Sequence, residues 1–303
     1  MDAIEEELIG ALRADGRASF SDLAAQLGVS RNVISARTAE LIGSGRIRVV
    51  AAVHPRLLGL TTLAHLAVRI SGPALPVVRY LSGQEGVAFL SETTGVHHVA
   101  AEVRVPAITD LERILADVRS VPGVLDVAVL LYERVVRSMF LDEEPRTSDL
   151  IIDETDIAIM SELQEDGRLG FADLAARVGL STSAARTRVI RLLDAHVMQI
   201  GAIRRRADDD TPSLLSGIGL ITTGDPDPAL RHLLGIDGLQ FAAKTVGRYS
   251  IVATVEASSI SRLAEILTEL RTRPAITTVD AWIHTDVHLE RYDRPLGQLR
   301  TPS

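Results

Sequence analysis

Leu12-Arg13-Ala14-Asp15-Gly16-Arg17 recurs as Leu163-Gln164-Glu165-Asp166-Gly167-Arg168, and this repeat decides the architecture. The matches continue outward at the same offset of 151. Asp22-Leu23-Ala24-Ala25 returns as Asp173-Leu174-Ala175-Ala176, Gly28-Val29-Ser30 as Gly179-Leu180-Ser181, Arg37 as Arg188 and Leu41 as Leu192. Further along the offset becomes 152: Phe89 matches Phe241, Gly95 matches Gly247, Val103 matches Val255 and Pro122 matches Pro274. One residue has therefore been inserted between two blocks, and each half of the chain carries two modules.

In the first module, Ile4, Leu8, Ile9 and Leu12 have helical spacing, and Gly16 ends that helix. A second short helix is expected over residues 21–27, followed by Gly28, where a tight turn needs positive φ. Ser30 and Ser181 are placed to cap a third helix, because a serine hydroxyl accepts a free amide of the first turn. In that helix Ile34, Thr38 and Leu41 form one buried stripe, and Ala185, Val189 and Leu192 form its counterpart. Arg31, Asn32, Ser35 and Arg37 fall largely off the first stripe; Thr182, Ser183, Arg186, Arg188 and Arg191 are the polar set of the second. Two short helices joined by a glycine turn describe a helix-turn-helix, whose second helix enters the major groove by its N-terminal end. These polar residues, with Ser30 and Ser181, are the expected DNA-contacting set. Arg37 and Arg188, lying deeper, suit the phosphate backbone or a buttress within the fold. The plainer alternative is that such arginines are only solvated, as on any small three-helix domain.

The second module reads as a strand over 61–70, a short helix at 75–81, strands at 87–92 and 98–105, a helix at 107–119 and a last strand at 124–133. The second half repeats the order, ending in a strand at 276–284. This is the βαββαβ, ferredoxin-like arrangement. The expected fold class is α+β: two winged-type helix-turn-helix domains and two ferredoxin-like βαββαβ sensor domains in tandem. Their spans are 1–53, 58–140, 153–206 and 213–291, with an acidic, proline-containing linker at 141–152. One face of such a sheet is left uncovered by its helices, and each chain carries its own candidate partner sheet.

Composition sets the outer limits. The chain has 303 residues, of which 46% are apolar, enough to fill real cores. No apolar run reaches the 18 or so residues of a membrane span, and the acidic Met1-Asp2-Ala3-Ile4-Glu5-Glu6-Glu7 start is unlike a secretory signal. With no cysteine there is no thiolate chemistry and no disulfide. A cytoplasmic protein without membrane contact is expected. The net charge of −8 argues against indiscriminate coating of nucleic acid, yet leaves room for a small basic surface. Lys244 is the single lysine, so arginine carries nearly all the positive charge.

A helix-turn-helix followed by a βαββαβ domain, with Asp15-Gly16-Arg17, Asp22-Leu23-Ala24, Gly28-Val29-Ser30, Arg37, Leu41 and Gly45-x-Ile47, resembles the Lrp/AsnC family of feast/famine transcriptional regulators. Asp166-Gly167-Arg168, Gly179-Leu180-Ser181, Arg188 and Leu192 carry the same pattern in the second half, and Val121-Pro122-Gly123-Val124 fits the turn before the last strand. The resemblance covers about residues 2 to 291. It implies a sequence-specific regulator, with double-stranded DNA and a small-molecule effector as partners, assembling as a homo-oligomer. Ordinary members carry one copy and pair through their sheets, so this tandem chain resembles a covalent form of that dimer. The resemblance places the effector at the sensor (RAM) domains, near Thr94, Gly95, His97 and His98, and near Val246, Gly247, Arg248, Tyr249 and Ser250. Where the family loop commonly reads Gly-Asp-Tyr-Asp, this chain has Gly95-Val96-His97-His98 and Gly247-Arg248-Tyr249-Ser250. Both acidic positions are lost, and Arg248 favours an anionic group. Gly45, which ends the third helix, is replaced by His196 in the second copy.

Enzymatic motifs are weak. Gly217-x-Gly219 leads into a strand and is not a dinucleotide loop, and no P-loop is present. His97 and His98 point to opposite faces if extended. His284 and His288, four apart on a strand, would be about 13 Å from each other, too far to share a metal. The expectation is therefore a protein that is not an enzyme, with no catalytic residues, metal or cofactor. Sirohaem decarboxylases are built from the same two modules and form the enzymatic alternative, with His97, His98 and Arg248 as pocket residues. A ligand sensor that binds no DNA is the third.

Overall fold

The structure, a computed structural model, describes residues 3–138, 145–146, 150–204, 213–291 and 296. Most of the expected linker and the Arg205-Arg206 to Asp210 segment lie outside the described residues. The chain forms two compact units. One draws on residues 1–58, 143–211 and 292–303, the other on residues 59–142 and 212–291. The modules therefore sort by kind, not by half: both helix-turn-helix copies lie in one unit and both βαββαβ copies in the other.

In the first unit, α1 (Ala3–Ala14), α2 (Phe20–Leu27) and α3 (Arg31–Gly43) are followed by β1 (Ile47–Val53). Their counterparts are α6 (Glu154–Glu165), α7 (Phe171–Val178), α8 (Thr182–Asp194) and β6 (Met198–Arg204). Gly28 and Gly179 cap α2 and α7 in the left-handed conformation, at φ 66° and 70°. The Ser30 and Ser181 hydroxyls accept the amides of Val33 and Ala184, which fixes where α3 and α8 begin. Ile34, Thr38 and Leu41 are buried on α3, and Ala185, Val189 and Leu192 on α8.

The wings β1 and β6 pair antiparallel, and the register places Val50 opposite Gly201, its own repeat equivalent. A pseudo-twofold axis therefore passes between these two residues. Contacts come in reciprocal pairs about it. The Gly16 amide donates to the Ile200 carbonyl and the Gly167 amide to the Val49 carbonyl, both at 2.8 Å. The Arg17 guanidinium donates to the carbonyls of Gly167 (2.8 Å) and Leu169 (3.1 Å) and lies 4.5 Å above the Phe171 ring. Arg168 does the same in reverse, to Gly16 (2.7 Å) and Ala18 (3.2 Å), 4.7 Å above Phe20. Gly16 and Gly167 are small because both wings pass there: a Cβ on Gly16 would sit 2.7 Å from Val49 Cγ1 of its own wing and 3.0 Å from the Gly201 backbone of the other copy's wing. The Asp-Gly-Arg motif is thus a two-way staple between the copies. One apolar cluster, including Leu8, Leu12, Val49, Ile159, Leu163 and Ile200, runs through both.

In the second unit, β2 (Thr62–Ile70), α4 (Leu75–Ser82), β3 (Val87–Thr93), β4 (Val99–Val105), α5 (Ile108–Ser120) and β5 (Val124–Arg137) form the first βαββαβ copy. β7 (Leu214–Thr222), α9 (Asp227–Leu233), β8 (Leu239–Val246), β9 (Ile251–Ala257), α10 (Ile260–Arg271) and β10 (Ile276–Glu290) form the second. The strand order is β10-β3-β4-β2-β5-β8-β9-β7, closed into an eight-stranded barrel. The last strands run further than the sequence pattern indicates, to Arg137 and Glu290 instead of 133 and 284. Their extra residues cross to the other copy: Leu131 to Arg137 pair with β8, and His284 to Glu290 with β3. This crossing removes all four sheet edges, which would otherwise expose unpaired backbone groups. Each copy keeps its own core between sheet and helices.

Candidate nucleic-acid interface and ligand pocket

On α3, Arg31 and Asn32 are exposed and Ser35 half-buried; on α8, Thr182, Ser183 and Arg186 are exposed. Arg31 and Arg186 make no side-chain hydrogen bond or ion pair among the described residues, so both guanidinium groups are available to an outside partner. The deeper arginines are engaged. Arg188 donates to Asp153 at 2.7 and 2.8 Å and to Asp156 at 2.9 Å, and Arg191 reaches Asp156 at 2.5 Å. Asp156 is fully buried, and the Arg188 guanidinium holds the Asp153 carboxyl below its ordinary value. The first copy has the equivalent contact, Arg37 to Glu5 at 3.8 Å, with Arg46 also on Glu5. In both copies this arginine ties the third helix to the first. His196 occupies the position of Gly45, and it adopts the same left-handed backbone, φ 53° against 74°.

The second candidate site lies inside the barrel, a cavity of about 230 Å³. Small residues, Ala67, Ala100 and Ala128, make the wall of the first sheet, with His65 and Leu130 beside them. Facing them from the second sheet are Trp282 and Tyr249. Trp282 lies 5.8 Å from the His65 ring and stacks with Tyr249 at 6.4 Å. Burial pushes the His65 imidazole down to about 4, helped by His97, so it is neutral over the physiological range. Burial likewise lowers His97.

The rim carries the charge. The Tyr249 hydroxyl donates to Asp280 Oδ2 at 2.7 Å, and Arg248 reaches the same oxygen at 3.1 Å while lying 5.2 Å over the Tyr249 ring. Burial and Asp280 together raise the Tyr249 phenol to about 12. The two loops are braced alike: Thr93 Oγ1 donates to the His97 carbonyl and Thr245 Oγ1 to the Tyr249 carbonyl. Thr94 exchanges two bonds with the Ile283 backbone, so the first loop is fastened to the second copy.

Of the loop residues singled out from sequence, Thr94, Gly95, His97, Arg248 and Tyr249 line this cavity. His98 and Ser250 face away from it: they accept the equivalent amides of Ile70 and Thr222. Val246 is exposed, and Gly247 lets its loop pass close to Leu130. His65, Asp280 and Trp282 escaped the sequence reading. They sit on strands, at positions where the two otherwise matched copies differ, and that divergence was the available signal. A separate cluster also escaped it. Glu92, Asp286 and His288 bring ligand atoms within 4.8 Å of one another, with His288 Nε2 3.0 Å from Glu92. His288 is thereby partnered across the strand pair, not with His284.

The AsnC-type helix-turn-helix domain family matches residues 1–42 and 152–193. The HTH-type transcriptional regulator LrpA of Mycobacterium tuberculosis is 32% identical over 147 residues, which are 48% of this chain and 97% of LrpA. The chain belongs to the Lrp/AsnC family. The regulatory protein AsnC of Escherichia coli is 31% identical over 124 residues, 39% of this chain and 78% of AsnC. Such relatives have the length of one half, and the duplicated match at residues 1–42 and 152–193 makes this member a tandem one.

Over the whole chain, the solved structure of the siroheme decarboxylase NirDL is similar with a TM-score of 0.63, at 17% identity, covering 96% of this chain and 94% of that one. This corrects the expectation that the protein is not an enzyme. An enzyme has this fold across both copies, so the architecture is open to catalysis. No helix among the described residues is long and apolar enough to cross a membrane.

Proposed function

We propose that this Lrp/AsnC member is a sequence-specific, DNA-binding transcriptional regulator that responds to a small molecule held in the barrel. The observation that carries the reading is the pair of serine-capped third helices, each presenting an unengaged arginine near its N-terminus. That end of a recognition helix lies nearest the base edges, and arginine binds guanine bidentately. Arg31, Asn32, Ser35, Thr182, Ser183 and Arg186 are the groups assigned to DNA. Arg37, Arg188 and Arg191 hold the helices in place. The partners are double-stranded DNA in the cytoplasm, a small effector, and further copies of the chain in a homo-oligomer. The Arg17 and Arg168 staples support one rigid reader with two helices, which suits a site of two half-sites about one turn, ~34 Å, apart. In vitro selection from a random duplex pool tests this. Enrichment of a motif with two such half-sites is expected; a pool that stays random contradicts it.

A second reading is an enzyme related to the sirohaem decarboxylases, favoured by the whole-chain fold likeness and by a pocket holding His65, His97 and Arg248. The cavity of about 230 Å³ lies below the roughly 300–1,000 Å³ of sites for drug-sized ligands, which favours a smaller molecule than a tetrapyrrole. Titration with sirohaem, followed by its absorbance, separates the two: a saturable spectral change supports the enzyme.

A further inference from the structure

The barrel is built from two equivalent copies, so a symmetric interior would offer two equivalent sites. The residues that face each other across the pseudo-axis break that symmetry. His65 and Ala67 of β2 correspond to Gly217 and Gly219 of β7; Leu130 and Ala128 of β5 correspond to Trp282 and Asp280 of β10. In the loops, Val96 and His97 correspond to Arg248 and Tyr249. The two glycines are where the rings of the second copy lie. A Cβ on Gly217 would come 2.1 Å from Trp282 Nε1, and one on Gly219 would come 2.6 Å from Tyr249 Cε2. Space that the first sheet leaves open above Ala67 and Ala100 is therefore filled on the second sheet by its own aromatic side chains. Trp282, Tyr249 and Phe241 also pack with Leu130, Ala243 and Val252 as a small apolar cluster of the barrel interior.

The charged rim is one-sided as well. Arg248 and Asp280 both come from the second copy, with Val96 and Ala128 in their places in the first. Asp280 spends Oδ2 on both Tyr249 and Arg248, whereas Arg248 commits a single terminal nitrogen there and keeps further N–H donors. The rim therefore has donor capacity to spare for an acceptor. Behind it stand two aromatic rings and a neutral imidazole, surfaces that stack flat molecules.

We infer that each chain has one ligand site, not two, in the space between the Ala67–Ala100 wall and the Trp282 and Tyr249 rings, and that it takes a small flat aromatic acid whose carboxylate meets Arg248. This deepens the proposed effector reading and rests on it for its regulatory meaning, while binding itself can be measured apart from DNA.

Trp282 is the only tryptophan of the chain, so its fluorescence reports this site alone. Benzoate is the probe, with benzamide as its uncharged analogue, on the full chain. Benzoate is expected to change the emission saturably, with one molecule bound per chain by calorimetry. Benzamide is expected to bind at least tenfold more weakly, and Arg248→Gln to weaken benzoate by a similar factor. Ala67→Leu, which fills the open wall, should abolish binding, and Arg248→Gln on the exposed rim remains informative if that variant folds poorly. Two benzoates per chain, equal binding of benzamide, an unaffected Arg248→Gln protein, or no binding at all would overturn the inference. A DNA-affinity measurement with and without saturating benzoate keeps the other question separate: binding at Trp282 without any change in DNA affinity leaves this site standing and removes the effector reading.

Discussion

Replacing Arg17 with alanine tests the staple between the two helix-turn-helix copies. The guanidinium donates to two carbonyls of the other copy, at 2.8 and 3.1 Å, and covers the Phe171 ring at 4.5 Å. A hydrogen bond from a charged group contributes about 1.5–3 kcal/mol, and a cation–π contact about 0.5–2 kcal/mol. Arg17 is half-buried, so part of the charge stays solvated when folded, and part of the freed carbonyl demand is met by water. Burial lowers both guanidinium groups, and for Arg17 the repulsion from Arg168 lowers it further, which subtracts from the gain. The expected loss is about 2–4 kcal/mol, confined to the helix-turn-helix unit. Arg17→Lys should fall between, because it keeps the charge but not the fork. By the pseudo-symmetry, Arg168→Ala should cost about the same as Arg17→Ala. Urea unfolding followed by circular dichroism, which weights the helical unit, measures all three. A loss below about 0.5 kcal/mol, the size of an ordinary surface substitution, would refute the staple; so would unequal losses for the two arginines.

Other outcomes follow from the same contacts. Arg188→Ala strands the fully buried Asp156 with less than its full set of partners and should cost about 3 kcal/mol by denaturant unfolding, whereas Arg186→Ala should cost almost nothing. Gly217→Ala pushes Trp282 off its glycine; a loss of about 1–3 kcal/mol and a shifted tryptophan emission are expected, and an unchanged spectrum would contradict the packing. His65 has a folded value of about 4 against an ordinary 6.5, so the unfolded chain takes up the proton first. Its contribution is complete above pH 6.5 and lost as the pH falls towards 4, in total about 3 kcal/mol. Stability measured over that window should lose this dependence in His65→Asn.

The duplication, the helix-turn-helix copies and the βαββαβ order were legible because they rest on local signals. Ser30 and Ser181 cap where their hydroxyls predict, Gly28 and Gly179 take positive φ, and the stripes at Ile34 and Ala185 are buried. What stayed hidden depends on pairing between residues about 150 apart. Asp15-Gly16-Arg17 is visible as a motif, but its glycine is explained only by the two paired wings, and its arginine only by Gly167 and Phe171 of the other copy. The strand tails at Arg134 and Val287 are held by the other copy's β8 and β3, a pairing that no local pattern reports. The cavity residues lie where the copies diverge, so a search for repeated motifs passes over them.

The central claim concerns Arg31 and Arg186, and the direct measurement is the affinity of the full chain for its selected duplex across a salt series. Wild-type protein is expected to bind saturably, with a log–log salt slope of about −0.9 per phosphate contact. The Arg31→Ala, Arg186→Ala double variant is expected to unfold as wild type does and to lose at least tenfold in affinity, with reduced discrimination between the selected and a scrambled duplex. A double variant that binds as tightly and as selectively as wild type, or a wild-type protein that binds no duplex at the lowest salt, would contradict the assignment of DNA recognition to these helices.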